Sequence, residues 1–190
     1  MNEFSVTVVI PTYNDSQFLE KILLEISKQT FLPREIVIVD SSNNHDDEFF
    51  EKFDNSLPVT YHQEKKAYPG KARNIGVELA NGNWIAFLDS KTIPDENWLE
   101  RYRDLVQAYH TEVVFGVTKF NARTPFQKTL QAATYGKIGH HTVPGTLIKK
   151  KVFDESGGFL EHVRMGEDIE WRERLIKNDL NIHLPNEPAV

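Results

Sequence analysis

The chain has 190 residues, 39% hydrophobic and 26% charged, which fits one soluble globular domain with a real core and excludes a disordered chain. Twenty-two Lys and Arg against 28 Asp and Glu give a formal charge of -6, and no basic run exceeds Lys149-Lys150-Lys151, so broad nucleic-acid binding lacks its cationic footprint. The absence of Cys excludes disulfides, thiolate metal sites and cysteine nucleophiles together.

Val6-Thr7-Val8-Val9-Ile10 is an apolar run that stops at Pro11-Thr12-Tyr13-Asn14. Asn14-Asp15-Ser16 offers capping chemistry, and Phe18, Leu19, Ile22, Leu23 and Ile26 then recur at helical spacing to about Gln29. Ile36-Val37-Ile38-Val39 before Asp40-Ser41-Ser42 is a second strand. Ser41 to Asp47 reads as an acidic loop, with a short helix around Phe49 to Phe53, and Pro58-Val59-Thr60-Tyr61 as a third strand. Pro69-Gly70 opens a helix whose face carries Ala72, Ile75, Gly76, Leu79 and Ala80, and Asn81-Gly82 suits a left-handed cap at its end. Trp84-Ile85-Ala86-Phe87-Leu88 follows and stops at Asp89-Ser90. Pro94-Asp95-Glu96 starts a helix with Trp98, Leu99, Tyr102, Leu105 and Val106 as its buried stripe, and Val113 to Val117 is the next strand.

Continuous runs of this kind read as strands buried on both sides, the habit of a mostly parallel sheet with helices on both faces, so the fold class is α/β. From Lys119 to Thr142 the periodicity fades, as in a long loop or a loose helix over the sheet edge. Val143 to Ile148 resumes strand composition, Gly157-Gly158-Phe159 makes a turn, and Glu167 to Lys177 reads as a helix with Ile169, Arg172 and Ile176 at turn spacing. No apolar stretch approaches the ~20 residues that span a bilayer, and Met1-Asn2-Glu3-Phe4 is not the start of a signal peptide. A cytoplasmic location is compatible with this. Residues 1–190 read as one domain truncated at its C-terminus, because the chain ends at Val190 shortly after the apolar step Ile182-His183-Leu184.

In an open parallel sheet, ligands sit beyond the carboxyl ends of the strands, so Thr12, Asp40 and Asp89 point to one ligand site. An Asp at a strand end is also an ordinary turn residue. Asp89, at the mouth of the sheet, has the chemistry to hold a divalent ion or a ribose hydroxyl. Lys71 and Arg73 lie in a first helical turn, where free backbone N–H groups favour anions, and this suggests phosphate binding; a solvated first turn whose Arg73 pairs with a neighbouring carboxylate is the alternative. Glu167-Asp168 after Gly166 is either a pair of dipole partners or a source of a general base for a hydroxyl. His140-His141 is a weak metal pair, since adjacent side chains on an extended chain diverge.

Five segments in order, Val9-Ile10-Pro11-Thr12-Tyr13-Asn14, Ile36-Val37-Ile38-Val39-Asp40-Ser41-Ser42, Lys71-Ala72-Arg73-Asn74-Ile75-Gly76, Phe87-Leu88-Asp89-Ser90 and Gly166-Glu167-Asp168, resemble the family 2 glycosyltransferases of GT-A fold. The resemblance implies a nucleotide-diphosphate sugar donor, a UDP-sugar favoured, and inverting transfer to a saccharide or lipid-linked acceptor in cell-surface polysaccharide or glycoconjugate synthesis. It also implies Mg²⁺ or Mn²⁺ on the diphosphate. By position, Pro11, Thr12 and Tyr13 would line the nucleoside pocket, Asp40 would bond the base, and Lys71 and Arg73 would approach the base or diphosphate. Asp89 would touch ribose or metal, and Asp168 would be the catalytic base. The family's Asp-x-Asp signature reads Asp89-Ser90-Lys91 here, so a cation replaces the usual metal ligand. Lys91 would then neutralise the diphosphate directly, or mark a non-catalytic nucleotide-sugar-binding or scaffolding domain, or be a surface residue of a loop in which Asp89 still holds a metal. Peripheral attachment to the inner face of a membrane, through a segment beyond Val190, fits the same resemblance. The first strand is followed by no Gly-rich dinucleotide turn, and no P-loop occurs.

Overall fold

A computed structural model describes residues 4–43, 57–133, 136, 138–188 and 190. The helix expected around Phe49 to Phe53 lies outside the described residues. The described strands are β1 (Val6–Thr12), β2 (Glu35–Asp40), β3 (Val59–Gln63), β4 (Trp84–Phe87), β5 (Val113–Thr118), β6 (His140–Lys149) and β7 (Ile182–His183), in one sheet of order β3-β2-β1-β4-β6-β5-β7. The left half is parallel, as the buried runs suggest. On the right, β6 runs antiparallel to both β4 and β5.

The sheet is covered on both faces. Val6, Val8 and Ile10 of β1 pack with helix α1 (Ser16–Ser27) through Leu19, Ile22, Leu23 and Ile26, and with helix α3 (Trp98–Tyr109) through Trp98, Leu99 and Tyr102. The opposite face of β1 and β4, with Val9 and Phe87, meets helix α2 (Pro69–Leu79), helix α5 (Lys150–Ser156) and helix α6 (Glu167–Lys177) through Ala72, Val77, Val152, Phe153, Trp171 and Leu175. Helix α2 approaches closely enough that a Cβ on Gly76 would lie 2.3 Å from Val9 Cγ1. The remaining helix, α4 (Pro125–Ala133), buries none of its residues.

Several local features differ from the sequence reading. The Asn81-Gly82 corner is not left-handed: α2 ends at Ala80 in an extended conformation, φ -73 and ψ 133. The corner is held instead by Glu35, whose Oε1 accepts from the Asn81 backbone N–H (2.6 Å) and the Thr7 hydroxyl (2.7 Å), while Thr7 Oγ1 accepts from the Gly82 N–H (2.9 Å). Glycine is needed there for space, since a Cβ on Gly82 would sit 2.7 Å from the Thr7 nitrogen. Helix α3 begins at Trp98, four residues after Pro94, because Gln29 bonds both the Asp95 carbonyl (2.7 Å) and the Leu99 N–H (3.2 Å) and holds the preceding turn. The buried positions of α6 are Glu167, Trp171 and Leu175, spaced by one turn, and Ile169 and Ile176 face solvent.

Burial raises the Glu35 carboxyl pKa, but the bonds from Asn81 and Thr7 outweigh it and hold the group below the usual carboxylate range. A depressed folded-state value stabilises the protein above the unfolded carboxyl range, and that stability is lost as pH falls through the folded value. Urea unfolding across acidic pH should therefore show a smaller acid-dependent loss for Glu35→Gln, together with lower stability at neutral pH; parallel pH profiles would contradict this.

Candidate functional site

Beyond the carboxyl ends of β1, β2 and β4 lies a cleft of about 860 Å³. It opens where the strand order reverses, between β1, which leads to β2 and β3, and β4 on its other side. The β1–β4 ladder stops at Val9 and Phe87, so Pro11 sits past the end of β4, where its missing N–H removes no rung. Asn14, at φ 55, turns the chain out of β1 and donates its N–H to Ser42 Oγ (2.7 Å). Pro11, Thr12, Tyr13, Arg73, Asp89, Ser90 and Lys91 line the cleft. Tyr13 and Tyr68 are exposed aromatics on its wall. The Thr12 hydroxyl is buried without a hydrogen-bond partner.

Asp40 and Lys71 are placed differently: neither lines the cleft. Asp40 Oδ1 accepts from the Ser42 N–H (2.9 Å) and hydroxyl (2.5 Å), and Oδ2 accepts from the Tyr61 hydroxyl (2.6 Å), so its carboxylate braces the loop after β2. The Lys71 ammonium donates to Glu64 Oε1 at 2.6 Å, a contact that raises the Lys71 pKa and lowers that of Glu64.

The floor is built on Arg73. Its guanidinium donates through Nη2 to Asp89 Oδ1 (3.0 Å) and through Nη1 to Glu167 Oε1 (2.9 Å), and it lies 5.4 Å from the Phe159 ring centroid. Arg73 and Glu167 are each 5% exposed. One buried cation thus ties the end of β4 to the first turn of α6, the turn that carries Asp168. The aromatic cluster of Phe87, Phe153, Phe159 and Trp171 backs this helix. Arg174 anchors it further by donating to the Ser156 (2.5 Å), Gly157 (2.8 Å) and Gly158 (2.6 Å) carbonyls.

Asp15 is a site residue that the motifs do not reveal. Its carboxylate accepts from the Ser90 hydroxyl (2.7 Å) and pairs with the Lys91 ammonium (2.8 Å), which draws it away from capping α1. Its only signal in the sequence is a capping-type residue next to the β1 motif. Arg164 also reaches the cleft. Mg²⁺ or Mn²⁺ fits these residues poorly: Asp89 gives one oxygen to Arg73, the next position of the signature is Lys91, and no group of three His, Cys, Asp or Glu among the described residues is arranged around a cation. Lys66, Lys91 and Arg164 on the cleft wall suit a diphosphate better.

A second groove, about 1180 Å³, adjoins the cleft and shares Arg73, Asp89, Lys91 and Thr92 with it. Asp168 lines this groove, as does His140. His140 and His141 stand next to each other on β6, opposite Thr118 and Val117, and His141 Nε2 is bonded to the Pro185 carbonyl (3.0 Å). A carboxylate therefore stands in the groove beside a cleft with a cationic wall.

The sequence profile described as glycosyl transferase family 2 matches residues 7–162. The chain belongs to this family. It is 26% identical over 186 residues to the glycosyltransferase AglE of Haloferax volcanii, covering 89% of this chain and 60% of that protein. The fold is similar to the crystal structure of Staphylococcus aureus TarS 1-349 in complex with UDP-GlcNAc, with TM-score 0.77 and 22% identity over 97% of this chain and 57% of that one. It is also similar to the mannosyltransferase PcManGT from Pyrobaculum calidifontis in complex with GDP-Man and Mn2+, with TM-score 0.70 and 22% identity over 96% of this chain and 55% of that one. These likenesses show the GT-A fold. The chain of this family 2 member spans 60% or less of the length of these relatives. No helix among its described residues is long and apolar enough to cross a membrane.

Proposed function

We propose that this family 2 domain transfers a sugar from a nucleoside-diphosphate donor, a UDP-sugar by preference, to a hydroxyl of a saccharide, glycoconjugate or lipid-linked acceptor, with inversion at the anomeric carbon. The observation that carries the reading is the pair of adjoining cavities that share Arg73, Asp89 and Lys91, one with cations on its wall and the other with Asp168. The nucleoside lies against Tyr13 and Tyr68, with the unpartnered Thr12 hydroxyl available to it. Asp40 acts on the base pocket through the loop it braces, and Lys71 through Glu64. Asp89 keeps its second oxygen for the ribose.

In the reaction, an acceptor oxygen bonds to the anomeric carbon from the groove side as the bond from that carbon to the diphosphate oxygen breaks. The electron pair leaves with the diphosphate, whose growing charge meets Lys66, Lys91 and Arg164. Asp168 takes the acceptor proton. Inversion needs one such base, because the leaving group departs as an anion rather than by protonation. The likeness to a TarS complex with UDP-GlcNAc supports the UDP preference. A place at the inner face of a membrane fits a lipid-linked acceptor.

The test is turnover of UDP-, GDP-, dTDP- and CDP-sugars, read as release of the nucleoside diphosphate and, for the product, as anomeric configuration by NMR. The expected result is turnover of one UDP-sugar with inverted configuration and less than about tenfold gain from Mn²⁺. Nucleotide binding without any turnover would favour the scaffolding alternative, and a retained configuration would reject the single-base mechanism.

A further inference from the structure

We infer that the groove beside Asp168 takes an anionic acceptor, a glycan or polyol chain bearing carboxylate or phosphate groups. The inference rests on the glycosyl-transfer reading and adds the chemical class of the second substrate. Three exposed cations reach this groove from two distant segments: Lys21 from α1, and Lys119 and Arg123 from the stretch between β5 and α4. Among the described residues, none of the three side chains has an acidic side chain within 4 Å; the Lys119 backbone N–H donates to the Val190 oxygen (3.2 Å).

Other surface cations of the chain are engaged by carboxylates, as in Lys28 with Glu25, Arg103 with Glu100, Lys150 with Asp154 and Arg174 with Glu170, whereas these three converge on one groove with their charge left for a ligand. The acidic side chains that line the groove do not offset the three cations. Asp89 is held by Arg73, Asp95 lies 3.7 Å from Arg101, and Asp168 is the base. On a protein of net charge -6, a groove with unpaired positive groups draws in anions and resists neutral chains no more than water does. Carboxylate and phosphate share this chemistry, since both accept charge-assisted bonds from Lys and Arg.

Calorimetric titration of the full chain with UDP present tests this. The probes are a tetrasaccharide containing two glucuronates, its carboxyl-reduced form, and a tetramer of glycerol phosphate. The expected result is that an anionic probe binds about tenfold tighter than the reduced one, with affinity falling as salt rises. Lys119→Gln with Arg123→Gln should bring the two within about twofold, while UDP affinity stays the same. The stronger of the two anionic probes then tells carboxylate from phosphate. Equal binding of the tetrasaccharide and its reduced form with no binding of the phosphate tetramer, no binding of any probe to a chain that binds UDP, or a preference that survives the double substitution would each overturn the inference. UDP binding in the same titrations reports separately on the donor reading, so loss of anion preference with UDP binding intact counts against the acceptor class alone.

Discussion

Arg73→Met should lower stability by about 3–5 kcal/mol in urea unfolding, because it leaves the buried Glu167 carboxylate without its cation. In thermal unfolding this corresponds to a fall in Tm of roughly 6–20 °C for a domain of this size. The loss comes from the stranded charge, not from the ion pair itself, so adding Glu167→Leu to Arg73→Met should restore a good part of it. A single Arg73→Met variant as stable as the parent would mean that Arg73 does not tie β4 to α6. Lysine at this position keeps the charge but loses the two-armed geometry that reaches Asp89 and Glu167 at once, so it should rescue stability only in part.

Asp168→Asn should reduce kcat by about 10²–10⁴-fold, the usual contribution of a positioned general base. Asp168 lines the groove and is absent from the cleft wall, so UDP affinity should change by less than about twofold. The side chain is only half-buried, and stability should be preserved. A kcat within tenfold of the parent would remove Asp168 from the reaction. A matching loss of UDP affinity would place it in the donor cleft.

The left half of the sheet was legible because β1, β2 and β4 are buried on both faces and their sequences carry no alternation. Strand direction is a different matter. An apolar run such as Thr146-Leu147-Ile148 looks the same whether its neighbour runs parallel or antiparallel, so the reversal at β6 is visible only in the pairing. Helix α4 buries no residue, and its short stripe of Phe126, Leu130 and Ala133 is easily lost among the Gln and Thr around it, while α5 is seven residues long, too short to show a period. In α6 the turn spacing of Ile169, Arg172 and Ile176 marks the helix but not its buried face, whose stripe starts with a charged residue, Glu167, tolerated inside because Arg73 meets it.

The site divides in the same way. Residues at strand ends, Thr12, Asp89 and Lys91, were legible because chain direction alone brings them to one edge. The partners of Asp40, Lys71 and Lys91 were not. Asp40 turns to its near neighbour Ser42, the ordinary habit of an Asp at a strand end, but also to Tyr61, and Lys71 turns to Glu64 and Lys91 to Asp15, contacts whose spacing in the sequence gives no hint of them.

The most direct test of the nucleotide-sugar reading is thermal unfolding of the chain with UDP, GDP, dTDP and CDP, each with and without Mn²⁺. A ligand present at ~100 times its dissociation constant stabilises by roughly 2.7 kcal/mol, enough to move Tm by several degrees. The reading predicts a rise with UDP that exceeds the others and persists without Mn²⁺. No rise with any of the four nucleotides would contradict a donor cleft at the ends of β1 and β4.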